Sequence, residues 1–145
     1  WQTGRYYHEE ALKHLKAYRG MPIWCSDFIT RMDYAYAAAD LIISRAGASS
    51  ISELCLLKKP VILVPSPNVA EDHQTKNALA LVDKQAAIYV KDSEAEAKLM
   101  DVALKTVADD QKLKELSDNI AKLALPDSAR IIAQEVIKLA EAENK

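Results

Sequence analysis

The segment around which this chain is organised reads Leu41-Ile42-Ile43-Ser44-Arg45-Ala46-Gly47-Ala48-Ser49-Ser50-Ile51-Ser52-Glu53. Its apolar start is typical of a strand that is covered on both faces. Gly47 suits a tight turn, because glycine adopts backbone angles that a residue with a Cβ resists. Ile51, Leu54 and Cys55 then recur at helical spacing. The segment therefore predicts a buried strand, a glycine turn and a helix.

The turn has two interpretations. A strand that enters a helix in this way leaves backbone N–H groups pointing into a crevice, where the helix dipole favours an anion. In the other interpretation, Ser49 or Ser50 caps the helix. Ser50-x-x-Glu53 is also a capping box, in which Glu53 only reaches back to its own helix start. Spacing alone does not separate the anion site from the capping box.

The flanking sequence predicts strands that alternate with helices as far as residue 90. Strands are expected at 1–4, Pro22–Phe28, 41–43, Val61–Val64 and Ala87–Val90. Helices are expected at 6–18 with Leu12 and Leu15 inside, at 33–39, from the glycine turn to about residue 58, at Glu71–Val82, and at 93–108, 110–123 and 127–140. This order predicts an α/β fold, with a Rossmann-like parallel sheet flanked by helices.

Composition limits the class of protein. The 145 residues suffice for one domain with a real core, and 50% hydrophobic with 28% charged residues is a globular balance. A net charge of −2 provides no basic footprint for nucleic acid. No apolar run approaches the length of about 18 residues that a transmembrane helix needs, and no signal peptide is present. Cys25 and Cys55 are interpreted as reduced core residues. The chain opens at Trp1 in an apparent strand end, which favours an excised domain with further sequence upstream.

Several kinds of site are disfavoured by their missing motifs. Neither the dinucleotide fingerprint G-x-G-x-x-G nor the P-loop occurs, and His8 and His14 do not fit the H-E-x-x-H zinc pattern. There is no Asp-x-Asp pair for a metal–diphosphate complex, so we predict no metal and no cofactor. Four polar segments are expected at the carboxyl edge of the sheet: 2–4, 28–31, 45–53 and 65–77. Their backbone amides, hydroxyls, carboxamides and one carboxylate suit a diphosphate bonded to a polyol.

Four sequence signatures occur in a specific order in these segments. They are Gln2-Thr3-Gly4, Phe28-Ile29, the Ser44–Glu53 segment, and Val64-Pro65-Ser66-Pro67 with Asp72-His73-Gln74-Thr75-Lys76-Asn77-Ala78. In this order they resemble the MurG family, bacterial N-acetylglucosaminyltransferases that convert lipid I to lipid II in peptidoglycan synthesis. The motif-rich resemblance covers residues 1 to about 90, and the helical remainder agrees in pattern.

The resemblance implies one half of a GT-B glycosyltransferase. Residues 1–145 would be the C-terminal domain that binds the donor UDP-GlcNAc, and the N-terminal domain that binds the acceptor lipid I would be absent from this chain. The full protein would lie in the cytoplasm, peripheral on the inner face of the cell membrane. The chain alone would then bind donor without transferring it. A stripe of Ile132, Val136 and Leu139 on the last helix would pack partly on the missing half.

The resemblance also implies roles for single residues. Glu53 would hold the ribose hydroxyls, and the main chain of Ile29 would bond the uracil edge. The sugar hydroxyls are assigned to the Ala48 amide, His73 and Asn77. The diphosphate is assigned to Thr3, Ser49, Ser50 and Gln74. His73 departs from family members that carry Gln at this position, and its protonation would make the contact pH-dependent.

Other interpretations stay open at this point. Arg45 is interpretable as an ion-pair partner that holds its loop, and Gln74 and Asn77 as solvated helix residues. The chain could also be a non-catalytic nucleotide-sugar binding module. A related GT-B enzyme, or an epimerase, that uses another UDP-sugar is a third possibility.

Overall fold

A computed structural model describes residues 1–68 and 72–142. The chain divides into two compact units, Trp1–Ala38 and Ala39–Lys145. The first unit contains the helix α1 (His8–Leu15), a 3-10 turn (Lys16–Tyr18) and the helix α2 (Met32–Ala38). The second unit contains every strand that the structure assigns among the described residues.

The predicted strand Pro22–Phe28 is wrong except at one position. In the part of the first unit that the structure describes, β pairing is limited to a single parallel bridge between Gln2 and Ser26. Pro22 has no N–H to donate to a ladder, and the N–H of Ile23 instead donates to the Met21 carbonyl at 2.8 Å. Residues 21–24 are all exposed, so this segment has no face to bury.

The first helix is shorter than predicted. It begins at His8 and ends at Leu15, and the 3-10 turn carries the chain to Tyr18. Ala11 is the buried residue of α1, whereas Leu12 is 44% exposed and Leu15 is half-buried. Gly20 then has a φ of +93°, a left-handed angle that suits glycine and allows the chain to leave the helix.

The second unit contains a parallel sheet of three strands in the order β1-β2-β3. The strands are β1 (Ile42–Ser44), β2 (Val61–Leu63) and β3 (Ile88–Tyr89). Ile43 pairs with Ile62, and Leu63 pairs with Tyr89. Each predicted strand of this unit is therefore present, shifted or shortened by one or two residues.

Strand β2 is the centre of the core. Its residues Val61, Ile62 and Leu63 are completely buried, as expected for a strand covered on both faces. Successive side chains point to opposite faces, and Ile62 packs with Val64 and Val90 against the apolar side of α5 (Asp92–Val107). The predicted parallel α/β sheet with flanking helices is thus observed.

The remaining helices agree with the predicted pattern to within two residues at the ends that the structure describes. They are α3 (Ala48–Leu57), α4 (His73–Val82), α6 (Asp110–Ala121) and α7 (Ser128–Ala142). Glu71, the predicted first residue of α4, lies outside the described residues. Helix α6 contacts both α3 and α5, and α4 contacts β3.

The two cysteines have different surroundings. Both are free, but Cys25 is only half-buried whereas Cys55 is buried on α3. Burial raises the pKa of the Cys55 thiol, which favours its protonated form. The predicted core position is therefore correct for Cys55, while Cys25 lies in the segment that is not a strand.

Helix α7 is amphipathic in sequence but contains no buried residue. Ile132 is 63%, Val136 60% and Leu139 68% exposed. The predicted apolar stripe is thus present and uncovered in this chain.

Candidate functional site

The site begins where β1 leaves the sheet. Gly47 is the N-cap of α3, and the first bond inside the helix joins the Ile51 N–H to the Gly47 carbonyl at 3.0 Å. The helix therefore begins at Ala48, three residues before Ile51, the start that a capping box at Ser50 needs. The predicted caps Ser49 and Ser50 are wrong, because both already lie in the first turn and no side chain caps this helix.

The early start of α3 rules out the interpretation of Glu53 as the acid of a capping box. A capping box places its acid three residues after the N-cap, whereas Glu53 comes six residues after Gly47. The structure therefore does not form the Ser50–Glu53 box. Glu53 instead lies more than one turn inside α3, on an exposed position.

The same geometry points three backbone donors out of the helix. The N–H groups of Ala48, Ser49 and Ser50 lie in the first turn, where no carbonyl of the same helix can accept them. Ala48 and Ser49 are exposed and Ser50 is half-buried. This end of α3 can hold an anion, since the donors and the positive end of the helix dipole coincide.

The backbone angles at position 47 do not require a glycine. Its φ of −69° and ψ of 143° are extended values that any residue adopts. A Cβ at this position would meet only the Ser50 hydroxyl, at 3.9 Å. The expectation of a strained turn at Gly47 is therefore wrong, and the turn leaves open space above the glycine.

Two carboxamides of α4 hold the loop that precedes α3. The Gln74 Oε1 accepts from the Ala46 N–H at 3.2 Å and from the Ser66 N–H at 2.9 Å. The Asn77 Nδ2 donates to the Ala46 carbonyl at 3.1 Å. Both side chains are half-buried, so neither is a solvated helix residue. They leave the Gln74 amide nitrogen as a donor for an anion and the Asn77 oxygen as an acceptor for a hydroxyl.

Arg45 holds the same loops from the other side. Its Nη1 donates to the carbonyls of Val64 at 3.2 Å and Pro65 at 3.3 Å, and it forms an ion pair with Asp92. These partners follow β2 and β3 at the carboxyl edge of the sheet. The interpretation of Arg45 as an ion-pair partner that holds its loop is thus correct.

His73 and Asn77 lie one turn apart on α4, so their side chains leave the same face of the helix. His73 is exposed as the first residue of α4, after Asp72, which has a left-handed φ of 51°. In the second unit, six of the predicted residues lie within the first five positions of α3 or α4: Ala48, Ser49, Ser50, His73, Gln74 and Asn77. The seventh, Glu53, follows on α3.

The other two predicted residues lie in the first unit. The Ile29 N–H donates to the Gln2 Oε1 at 2.9 Å, so Gln2 joins the Gln2–Gly4 and Phe28–Ile29 segments. A uracil would reach this N–H only by displacing Gln2, whereas the Ile29 carbonyl needs no such exchange. The Thr3 hydroxyl lies 3.2 Å from His8 Nδ1 and 3.3 Å from the Ser26 carbonyl.

Arg31, two residues after Ile29, forms a local ion pair with the first turn of α2. It donates to both carboxylate oxygens of Asp33, at 3.1 and 2.8 Å, and its guanidinium carbon lies 3.9 Å from the centre of the Tyr34 ring. The hydrogen bond from Arg31 lowers the pKa of Asp33. One positive and one negative charge therefore lie close to Ile29 in sequence.

Two depressions occur in the second unit. One of about 320 Å³ lies at the carboxyl edge and is lined by Pro65, Pro67, Asp72, Thr75, Tyr89, Lys91, Asp92 and Ser93. The larger, of about 420 Å³, lies at the amino edge and is lined by Ala39, Asp40, Leu57, Lys58, Lys59, Pro60, Leu113, Lys114 and Ser117. Neither depression is lined by a predicted site residue, but open α/β sheets bind ligands at the carboxyl edge. The lining of the smaller depression also includes Pro65 and Asp92, which are partners of Arg45, so it lies on the same edge as the site.

Sequence reasoning assigned no role to the side chains of Gln2, His8 and Asp92 or to the backbone N–H of Ser66. Asp92 is 47 residues from Arg45 and Gln2 is 27 residues from Ile29. No local pattern joins positions so far apart. Among the described residues no three His, Cys, Asp or Glu side chains cluster as a metal ion would require.

The parallel sheet, the open start of α3 and the carboxamides of α4 define an α/β domain whose carboxyl edge can hold an anionic, hydroxyl-bearing ligand. Residues 1–132 match the family model of the glycosyltransferase family 28 C-terminal domain. This chain belongs to that family.

Individual relatives agree with the family. A protein of Bacteroides thetaiotaomicron is 78% identical over 99% of this chain and 39% of its own length. One of Flavobacterium psychrophilum is 49% identical over 99% of this chain and 38% of its own length. Both are named UDP-N-acetylglucosamine--N-acetylmuramyl-(pentapeptide) pyrophosphoryl-undecaprenol N-acetylglucosamine transferase. The chain thus spans about two fifths of the length of these relatives.

A solved structure shows the same architecture. The crystal structure of Acinetobacter baumannii MurG matches 94% of this chain and 42% of its own, with a TM-score of 0.81 and 31% identity. The resemblance to the MurG family is therefore confirmed. The α/β fold class predicted for one half of a GT-B glycosyltransferase is confirmed with it.

Proposed function

We propose that this chain is the donor-binding domain of an enzyme that transfers GlcNAc from UDP-GlcNAc to lipid I to make lipid II in peptidoglycan synthesis. The start of α3 is the observation that carries the proposal. The outward N–H groups of Ser49 and Ser50 suit the diphosphate, and they also stabilise the charge that develops on UDP as it leaves. The hydroxyls of Ser49 and Ser50 add donors at the same place.

The remaining residues divide the donor between them. Asn77 and His73 bind the sugar hydroxyls together with the Ala48 amide. Gln74 offers its amide nitrogen to the diphosphate, and Thr3 is assigned to the same group. Glu53 accepts from the two ribose hydroxyls, a pairing that suits a carboxylate. The Ile29 main chain pairs with uracil, and a fixed backbone edge discriminates against bases with another pattern.

In the proposal, the rest of the full protein supplies the acceptor site and the general base. Residues 1–145 act as one domain, and an N-terminal domain holds lipid I in line with the anomeric carbon and contributes the general base. The exposed stripe of α7 packs partly on that domain. Among the described residues, none of the helices has the length and apolar character needed to cross a bilayer. The proposed location is the cytoplasm, at the inner face of the cell membrane, where lipid I is the acceptor, and no nucleic acid takes part.

Calorimetric titration of the chain with UDP-GlcNAc, UDP-GalNAc, UDP-Glc, UDP and ADP tests the proposal. We expect UDP-GlcNAc to bind more tightly than the other two sugars, and UDP more tightly than ADP. Equal binding of the three sugars would favour an enzyme that uses another donor. Equal binding of ADP and UDP would refute the role of the Ile29 backbone.

Sugar selection is tested with Asn77→Ala, and Lys76→Ala, an exposed neighbour on α4, is the control. We expect Asn77→Ala to weaken UDP-GlcNAc about 5–10-fold, the loss of one or more hydrogen bonds, with a much smaller change for UDP. A parallel loss for both ligands would show that Asn77 serves only to hold the Ala46 carbonyl.

A further inference from the structure

Asp92 lies at the carboxyl edge of the sheet although its sequence neighbours carry no signature. We propose that Asp92 is a positioning residue of the donor site, which acts through Arg45 and does not touch the donor. The inference rests on the proposed function of the start of α3. It adds a residue from the third strand–helix connection to a site built from the first two.

The contacts of Arg45 explain how one carboxylate reaches three loops. Arg45 directly follows β1, its Nη1 donates to the carbonyls of Val64 and Pro65 after β2, and Asp92 begins α5 after β3. One guanidinium group thus joins the exits of all three strands. Asp92 is the charged partner among its three acceptors.

The backbone connects Arg45 directly to the anion site at the start of α3. Arg45 is bonded to Ala46, whose N–H shares the Gln74 Oε1 with the Ser66 N–H. Pro65, which accepts from Arg45, is bonded to Ser66. Arg45 and Gln74 therefore hold the same two loops at adjacent residues, and Gly47 with the first turn of α3 follows directly.

The charge of Asp92 is what keeps Arg45 in place. The Arg45 side chain is 57% exposed, and two neutral carbonyls at 3.2 and 3.3 Å compete weakly with water for it. A carboxylate adds a charge-assisted hydrogen bond, about twice as strong as a neutral one. The Asp92 side chain is 34% exposed, so the pair is partly shielded from solvent.

The experiment compares Asp92→Asn with Glu94→Gln in the chain. Both variants remove one negative charge from the first turn of α5, so they change the helix dipole interaction alike. Among the residues that the structure describes, Glu94 forms its hydrogen bond and ion pair with Lys98, in the same helix. Asp92→Glu serves as the rescue variant. The measurements are calorimetry with UDP-GlcNAc and with UDP, thermal melting, and the backbone amide NMR signals of Ala46 and Ser66.

We expect Asp92→Asn to weaken both ligands about tenfold, within the range for residues that act on a site without contacting its ligand. Both should weaken together, because the loop holds the diphosphate that they share. The Ala46 and Ser66 amide signals should shift, and Asp92→Glu should restore the signals and most of the affinity. Glu94→Gln should match the parent in affinity and in both signals, and all variants should melt cooperatively.

Unchanged affinity in Asp92→Asn would overturn the inference. A loss of affinity with unshifted Ala46 and Ser66 signals would also overturn it, because Asp92 would then act on the ligand directly. If the parent chain itself binds no UDP-GlcNAc, the proposed function fails. The amide signals of Asp92→Asn and Asp92→Glu still decide in that case whether Asp92 positions the loop.

Discussion

Single residues at this site use some of their polar atoms for bonds within the protein and leave others for the proposed ligand. The Gln74 oxygen accepts from two backbone N–H groups of two loops, and the Asn77 nitrogen donates to a third backbone group. A carboxamide can do this because its oxygen accepts and its nitrogen donates. The choice between a structural and a ligand-binding role, which the sequence poses for both residues, is therefore not exclusive.

Glu53→Ala separates ligand binding from stability. We expect UDP binding to weaken by about 1.5–3 kcal/mol, the range for hydrogen bonds to a charged group. The free energy of unfolding should fall by less than about 1 kcal/mol, because Glu53 is exposed and forms no capping box. Calorimetry and chemical denaturation provide the two values, with Asp101→Ala on α5 as an exposed acidic control. A large loss of stability with unchanged affinity would refute the ribose assignment.

The glycines differ in how much their backbone angles require glycine. Gly47→Ala should change the free energy of unfolding by less than about 1 kcal/mol, because its angles are extended and a Cβ has room. Gly20→Ala should lower it by about 1–2 kcal/mol, because its φ is +93°. Denaturant titration of both variants measures the difference. Equal losses would contradict the described angles.

Among the elements, α3 determines the site most directly, and both of its ends depart from common helix ends. It begins without a side-chain cap and ends at Lys58, which has a left-handed φ of 56°. The N–H groups of Lys58 and Lys59 nevertheless bond to the carbonyls of Cys55 and Leu54, each at 3.2 Å. This arrangement is the one that glycine usually completes, since glycine adopts left-handed angles without a Cβ penalty.

Lys58→Gly should therefore stabilise the protein by up to about 1 kcal/mol. Lys122→Gly is the matched control, because Lys122 ends α6 with a right-handed φ of −68°. Glycine at that position relieves no strain and adds freedom to the unfolded chain, so we expect a loss of about 0.5–1 kcal/mol. Thermal and denaturant unfolding of the two variants should shift in opposite directions. A shift of both in the same direction would mean that the angle at Lys58 carries no strain.

At the scale of the whole molecule, the chain covers only part of the length of its relatives. It spans 39% of its Bacteroides thetaiotaomicron relative, and its last helix exposes an apolar stripe along its whole length. Group transfer requires an acceptor positioned against the anomeric carbon, and that positioning supplies a large part of the rate. The described residues contain the groups that we propose for binding the donor.

We therefore expect the chain to bind UDP-GlcNAc and to transfer nothing. The assay is release of UDP on incubation with UDP-GlcNAc and a lipid I analogue. No turnover should be measured with the chain alone, while calorimetry on the same sample shows donor binding. Steady turnover would contradict this and would require a complete active site within these 145 residues.

The sequence by itself determined the α/β class, the three strands of the second unit and the position of its helices. These follow from local periodicity: three consecutive apolar residues in β2 and helical spacing in α3 are properties of neighbouring residues. The family signatures are local in the same way. The segment 22–28 was the main error, because its strand-like composition begins at exposed residues and pairs at Ser26 alone.

The tertiary structure decided which atoms of the site residues form hydrogen bonds within the protein. Helix α3 begins at Ala48 and not after Ser50. Just before this start, the N–H and the carbonyl of Ala46 bond to Gln74 and Asn77 on a helix about 30 residues later. Asp92 reaches Arg45 across 47 residues and Gln2 reaches Ile29 across 27. A hydrogen bond depends on the distance between two atoms in space. The number of residues between two positions predicts that distance only when both positions lie in the same helix or strand.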